Sequence, residues 1–98
     1  MQELLTGKQK RYLRSLANRM DPILQVGKSG ISENLVCQLD DALTARELVK
    51  IRVLPQAPLS AGETAALLSE RTGAELVQVI GRNAVFYRQG EEPEITLP

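Results

Sequence analysis

The chain has no histidine and no tryptophan, a single cysteine, and three aromatic side chains (Tyr12, Phe86 and Tyr87) in 98 residues. Each shortage excludes something. Without imidazole there is no histidine-based acid–base chemistry, and a zinc site would need an unusual set of carboxylates. With Cys37 alone, no intrachain disulfide can form, and a reducing compartment is the simplest expectation. With so few aromatics, the core must be built from Leu, Val, Ile and Ala. Long apolar runs are also missing, so nothing reads as a signal peptide or a membrane span. The expectation is a cytoplasmic protein with no membrane partner. Net charge is missing too: the formal value is zero at pH 7, which argues against an indiscriminate polyanion binder. A chain of this length makes one domain with a single modest core.

The zero hides a division. Positions 1–28 hold six basic residues (Lys8, Lys10, Arg11, Arg14, Arg19, Lys28) against Glu3 and Asp21. Positions 53–98 reverse it, with Arg71, Arg82 and Arg88 against six glutamates. A chain divided in this way can present one basic face while staying neutral overall, which points towards nucleic acid or a membrane surface.

Local rules then order the elements. Thr6 and Gln9 form a capping-box pattern that starts a first helix. Leu13, Leu16, Ala17 and Met20 make its apolar stripe, and Asp21-Pro22 ends it. Opposite the stripe stands Arg11, with Lys10 and Arg14 on one flank and Lys8 and Arg19 on the other, an almost purely basic face. On a merely solvated helix, i,i+4 acidic partners would be the usual companions. Ile23–Val26 reads as a short apolar strand of the kind buried on both faces. Ser32 caps a second helix whose stripe is Leu35, Val36, Leu39, Ala42 and Leu43, with Cys37 on its far side as an incidental thiol. From Leu48 the period becomes two, with Val49, Ile51 and Val53 on one face and Lys50 and Arg52 on the other. Ser60 and Glu63 open a third helix that Gly73 closes. Leu76–Ile80 and Ala84–Arg88 are strands joined by Gly81-Arg82-Asn83. The order is α-β-α-β-α-β-β, an α/β fold with a small four-stranded mixed sheet packed by helices. Each strand–helix–strand unit implies parallel pairing, and the last hairpin is antiparallel. Residues 1–90 form the single domain. Residues 91–98 are an acidic tail, expected to be extended or poorly ordered.

Between the first strand and the second helix lies Gly27-Lys28-Ser29-Gly30. Two glycines permit positive φ and close backbone approach, and the helix N-terminus behind them favours an anion. A P-loop is excluded because the position for its first glycine is Pro22. The GxxG spacing matches the backbone clamp of KH domains, but there the loop joins two helices. A lone GxxG is equally a tight turn that needs two glycines. The functional reading gains from convergence with Lys8, Arg11 and Arg14 on the first helix, with Lys50 and Arg52 on a strand, and with Arg82 in the hairpin.

Four blocks, Leu5–Arg14, Val26–Gly30, Glu47–Ile51 and Val79–Arg82 with Tyr87-Arg88, resemble the CRM domain family (chloroplast RNA splicing and ribosome maturation), and within it the stand-alone bacterial YhbY-like members. The resemblance spans nearly the whole chain and departs in Pro55–Gly62 and in the acidic tail. It implies a fold similar to the C-terminal domain of translation initiation factor three, and RNA binding; no catalysis is expected, because the sequence holds no nucleophile–base pair or metal set that chemistry could use. For the single-domain bacterial members it implies association with precursors of the large ribosomal subunit. Carried onto this sequence, the RNA-binding residues are Lys8, Lys10, Arg11, Arg14, Gly27, Lys28, Ser29, Gly30 and Lys50, with Arg82 added from its place in the hairpin. No cofactor, metal or small-molecule substrate is expected, and the protein is expected to be a monomer. A protein-interaction adaptor using the same basic face is the competing expectation.

Overall fold

The computed structural model describes residues 5–98, so the first four residues of the expected 1–90 domain, Glu3 included, lie outside the described residues. Seven elements follow in the expected order: α1 (Gly7–Ala17), β1 (Leu24–Val26), α2 (Glu33–Arg46), β2 (Leu48–Val53), α3 (Ala61–Thr72), β3 (Glu75–Ile80) and β4 (Asn83–Tyr87). Both capping boxes are present, Thr6 with Gln9 at α1 and Ser60 with Glu63 at α3. Gly73 closes α3 at φ 72°, a left-handed conformation that suits glycine.

α1 stops earlier than Asp21-Pro22. Its last residue is Ala17, and the chain tightens into i→i−3 bonds from Arg19 to Leu16 and from Met20 to Ala17. Such bonds satisfy the last carbonyls of a helix while turning the chain away.

The sheet order is β1-β2-β4-β3. β1 pairs parallel with β2, and β4 pairs antiparallel with both β2 and β3. Two expectations are corrected here. The β2-α3-β3 unit does not pair its strands directly, because β4 folds back between them. The burial explains the choice: Ala84 to Tyr87 are buried without interruption, as a central strand requires, whereas Glu75 and Gln78 of β3 suit an edge. β1 is not buried on both faces either. It is a three-residue edge strand in which Gln25 is exposed and only Val26 is buried.

Two apolar clusters lie on opposite faces of the sheet. α2 and α3 cover one face, where Leu35, Leu39, Leu43, Ala65 and Leu68 meet Val26, Val49, Ile51, Val53, Ala84 and Phe86. α1 covers the other, with Leu13 and Ala17 against Leu48, Val77, Val85 and Tyr87. Alternation along β2 therefore sends Lys50 and Arg52 to the α1 side.

The end of the sheet where β2 begins is densely tied. Glu47, buried and at φ 66°, ends α2. Its carboxylate accepts the N–H groups of Gly90 at 2.7 Å, Glu94 at 2.7 Å and Ile95 at 2.9 Å. Ile95 and Leu97 pack on the α1 cluster, and the Pro98 carbonyl accepts from Gln9 Nε2 at 3.3 Å. Residues 91–98 hold no helix or strand, yet they are strapped across this end. Burial raises the Glu47 pKa, but the three N–H donors outweigh it and hold the carboxyl below its ordinary 4.5. Burial and the neighbouring Glu47 carboxylate push the Tyr87 phenol up.

A candidate nucleic-acid interface

The opposite end of the sheet gathers three connections. Val26 and Val53 stand in register, and Leu54 N–H donates to the Val26 carbonyl at 2.8 Å. Val53 N–H reaches the Arg82 carbonyl in the β3–β4 turn at 2.7 Å. The Gly27–Gly30 loop, the segment after β2 and the Gly81-Arg82 turn are thus neighbours. Asn83 pairs with Ile80, so the turn has two residues rather than three.

Within the loop, Gly30 N–H donates to the Gly27 carbonyl at 2.9 Å, closing a four-residue turn with Lys28 and Ser29 exposed at its tip. The two glycines are not equivalent. Gly30 sits at φ 65°, and a Cβ there would stand 2.8 Å from Pro58 Cγ. Gly27 is not in the left-handed region, and a Cβ there would only touch Leu54 Cδ1 at 3.8 Å. Backbone geometry demands glycine at position 30, and it does not at position 27.

An open cleft of about 230 Å³ lies between this loop and the start of α2, lined by Gln25, Gly27, Lys28, Gly30, Ser32 and Asn34 among others. Ser32 Oγ accepts from Leu35 N–H at 3.1 Å as the N-cap. The N–H groups of Glu33 and Asn34 have no protein acceptor among the described residues. With Lys28 they are donors available to an oxyanion. Glu33 turns its carboxylate to Arg71 Nη2 at 2.6 Å.

The expected basic residues separate into groups. Lys8, Arg11, Lys28 and Arg82 are exposed, as is Arg19. Lys10 and Arg14 are half-buried on one flank of α1. Lys50 is engaged: its Nζ donates to the Met20 carbonyl at 3.0 Å, so it fastens the end of the α1 turn to β2. Among the described residues only two ion pairs form, Arg71–Glu33 and Arg88–Asp40, and none uses a cation of α1, the loop or the hairpin turn.

Arg88 is the feature that sequence reasoning missed most plainly. Its guanidinium reaches Asp40 Oδ1 at 2.6 Å, the Thr72 carbonyl at 2.7 Å, the Asp40 carbonyl at 2.9 Å and Thr44 Oγ1 at 2.9 Å. It clamps β4 to α2 and α3 and is a structural residue. Tyr12, on the flank of α1 that carries Lys8, is 38% exposed, the one aromatic side chain left at the surface.

A match to the CRS1 / YhbY (CRM) domain extends over residues 5–88. The chain belongs to that family. As a CRM domain it is 44% identical over 96 residues to the "Probable RNA-binding protein YqeI" of Bacillus subtilis, covering 97% of this chain and all of the relative. It is 33% identical over 94 residues to an "RNA-binding protein" of Haemophilus influenzae, covering 96% and 95% of the two chains. The solution structure of the hypothetical protein SAV1595 from Staphylococcus aureus superposes with a TM-score of 0.82 at 56% identity, over 97% of this chain and 100% of the other. The CRM arrangement of three helices on a four-stranded mixed sheet is therefore shared with an experimental structure.

Proposed function

We propose that this CRM domain is a non-catalytic RNA-binding protein that docks on structured ribosomal RNA during assembly of the large ribosomal subunit, acting as a cytoplasmic monomer. The observation that carries the reading is the division of the charges. Acidic partners are spent on Arg71 and Arg88, while Lys8, Arg11, Lys28 and Arg82 face solvent without a counter-charge among the described residues. RNA-binding names among the relatives support the ligand class. The ribosomal target rests on the resemblance to YhbY-like members.

In this reading Lys28 and the N–H groups at the start of α2 hold one phosphate in the cleft, and the absence of a side chain at Gly27 lets the RNA backbone approach. Lys8, Arg11 and Arg14 on α1 and Arg82 in the hairpin turn extend the footprint. Phosphate contacts of this kind set affinity and orientation with little sequence readout. If four or five phosphates are engaged, the log–log slope of affinity against salt is roughly −3 to −4.

Gradient sedimentation of a lysate tests the assignment. Comigration with large-subunit precursors that ribonuclease abolishes is the expected result. Comigration with a protein complex that survives ribonuclease would instead identify an adaptor using the same basic face.

A further inference from the structure

Beside the cleft, the α1 side of the sheet carries a row that α1 does not cover. The registers align Gln25 of β1 with Arg52 of β2, Arg52 with Asn83 of β4, and Asn83 with Ile80 of β3. One side chain from each strand thus stands in a line about 14 Å long at ordinary strand spacing. Arg52, Gln25 and Ile80 are exposed, Ile80 by 59%. Among the described residues, none of the polar side-chain atoms of Gln25, Arg52 or Asn83 has a hydrogen-bond partner. Gln25 also lines the cleft beside the Gly27–Gly30 loop, so the row and the cleft meet at that residue.

We propose that the row Gln25–Arg52–Asn83–Ile80 receives one or two unpaired nucleobases of the RNA whose phosphate is held at the loop. The inference rests on the RNA-binding reading above and gives it a selectivity that phosphate contacts cannot supply. The chemistry of the row fits a base. A guanidinium plane stacks on a nucleobase, and an isoleucine offers an apolar surface to a base or ribose. Flanking amides carry both donors and acceptors for base edges. No acidic side chain interrupts the row. A duplex cannot use it, since paired bases hide their faces and their pairing edges. The expected ligand is structured RNA with an unpaired loop, bulge or end next to the docked phosphate.

Titration of two RNAs tests this: a hairpin with a long unpaired loop, and a fully paired duplex with the same number of phosphates. Wild-type protein is expected to prefer the hairpin. The double variant Asn83→Ala with Arg52→Lys, which keeps the charge but removes the plane and an amide outside the phosphate cleft, is expected to lose about tenfold on the hairpin alone. Duplex affinity and salt slope should not move. Equal loss on both RNAs, or none on either, overturns the row. If wild-type protein binds neither RNA, the RNA-binding reading falls together with it. Arg11→Ala weakening both RNAs while the double variant weakens neither would leave RNA binding standing and remove the row alone. A photoreactive thiouridine in the hairpin loop checks the unmutated protein: crosslinks to β1, β2 or the β3–β4 hairpin support the row, and crosslinks confined to α1 overturn it.

Discussion

The two ends of the sheet use charge in opposite ways. At the end where β2 begins, Glu47 and Arg88 are satisfied by three and four hydrogen bonds respectively, and they bind the tail, α2 and α3 to the strands. At the other end, Lys28, Arg52 and Arg82 have no side-chain partner among the described residues. An ionic group half-withdrawn from water must be matched by donors and acceptors, and once matched it holds elements together. One left in solvent adds little stability and stays free for a ligand. The contrast separates residues that build the CRM domain from residues available to a partner, although both kinds are charged.

The comparison breaks most visibly at Arg88. Arg88→Ala leaves Asp40, Thr44 and the Thr72 carbonyl without their shared donor and is expected to cost about 3 kcal/mol, lowering Tm by roughly 15 °C in a domain of this size. Thermal unfolding followed by circular dichroism reads it, and a Tm near that of wild type would show that the clamp is ornamental.

Glu47→Gln comes next, with an expected loss of about 2 kcal/mol at neutral pH because an amide oxygen replaces a charged acceptor of three N–H groups. The sign of its pH dependence follows from the depressed pKa. Protons bind more readily to the unfolded chain, so the contribution is complete above the ordinary 4.5 and fades as pH falls through the lower folded value. Denaturant titrations at neutral and acid pH should show wild-type stability falling more steeply than that of the variant. Parallel curves would count against the strap.

At the loop end the effects shift from stability to binding. Lys28→Ala with Arg11→Ala should leave Tm within about 3 °C, since exposed, unpaired charges contribute little. The same change should weaken RNA binding roughly tenfold or more and flatten the salt slope by about 1.5. Filter binding across a salt series measures both, and an unchanged slope would place the phosphates elsewhere.

The smallest and sharpest contrast lies between the two loop glycines. Gly30→Ala should cost about 1–2 kcal/mol because alanine at φ 65° is strained and its Cβ meets Pro58. Gly27→Ala should cost under about 0.5 kcal/mol but weaken RNA binding. If Gly27→Ala binds as wild type, that position serves the turn and nothing more.

Much of this was legible from residue order, for a physical reason. Caps, glycine stops, the 3.6 and 2.0 periodicities and the proline that excludes a P-loop act over four or five neighbours, so the chain itself displays them. The basic face of α1 and the exposed Lys28 tip are of that kind. Long-range arrangements were not legible. The insertion of β4 between β2 and β3 depends on which strand buries more apolar surface in competition with the others. The Lys50–Met20, Arg88–Asp40 and Glu47–Ile95 contacts span 30 or more positions of sequence.

The sequence by itself determined the seven elements, their order, the apolar faces that pack, and the family, because these follow from local propensity and side-chain alternation. Only the tertiary structure decided which charges are consumed and which remain free. It turned Lys50 and Arg88 into fasteners, strapped the acidic tail to Glu47, and drew Gln25, Arg52, Asn83 and Ile80 from four strands into one row. A charge's role depends on what lies within about 3 Å of it, and strands distant in sequence become neighbours only when the sheet forms.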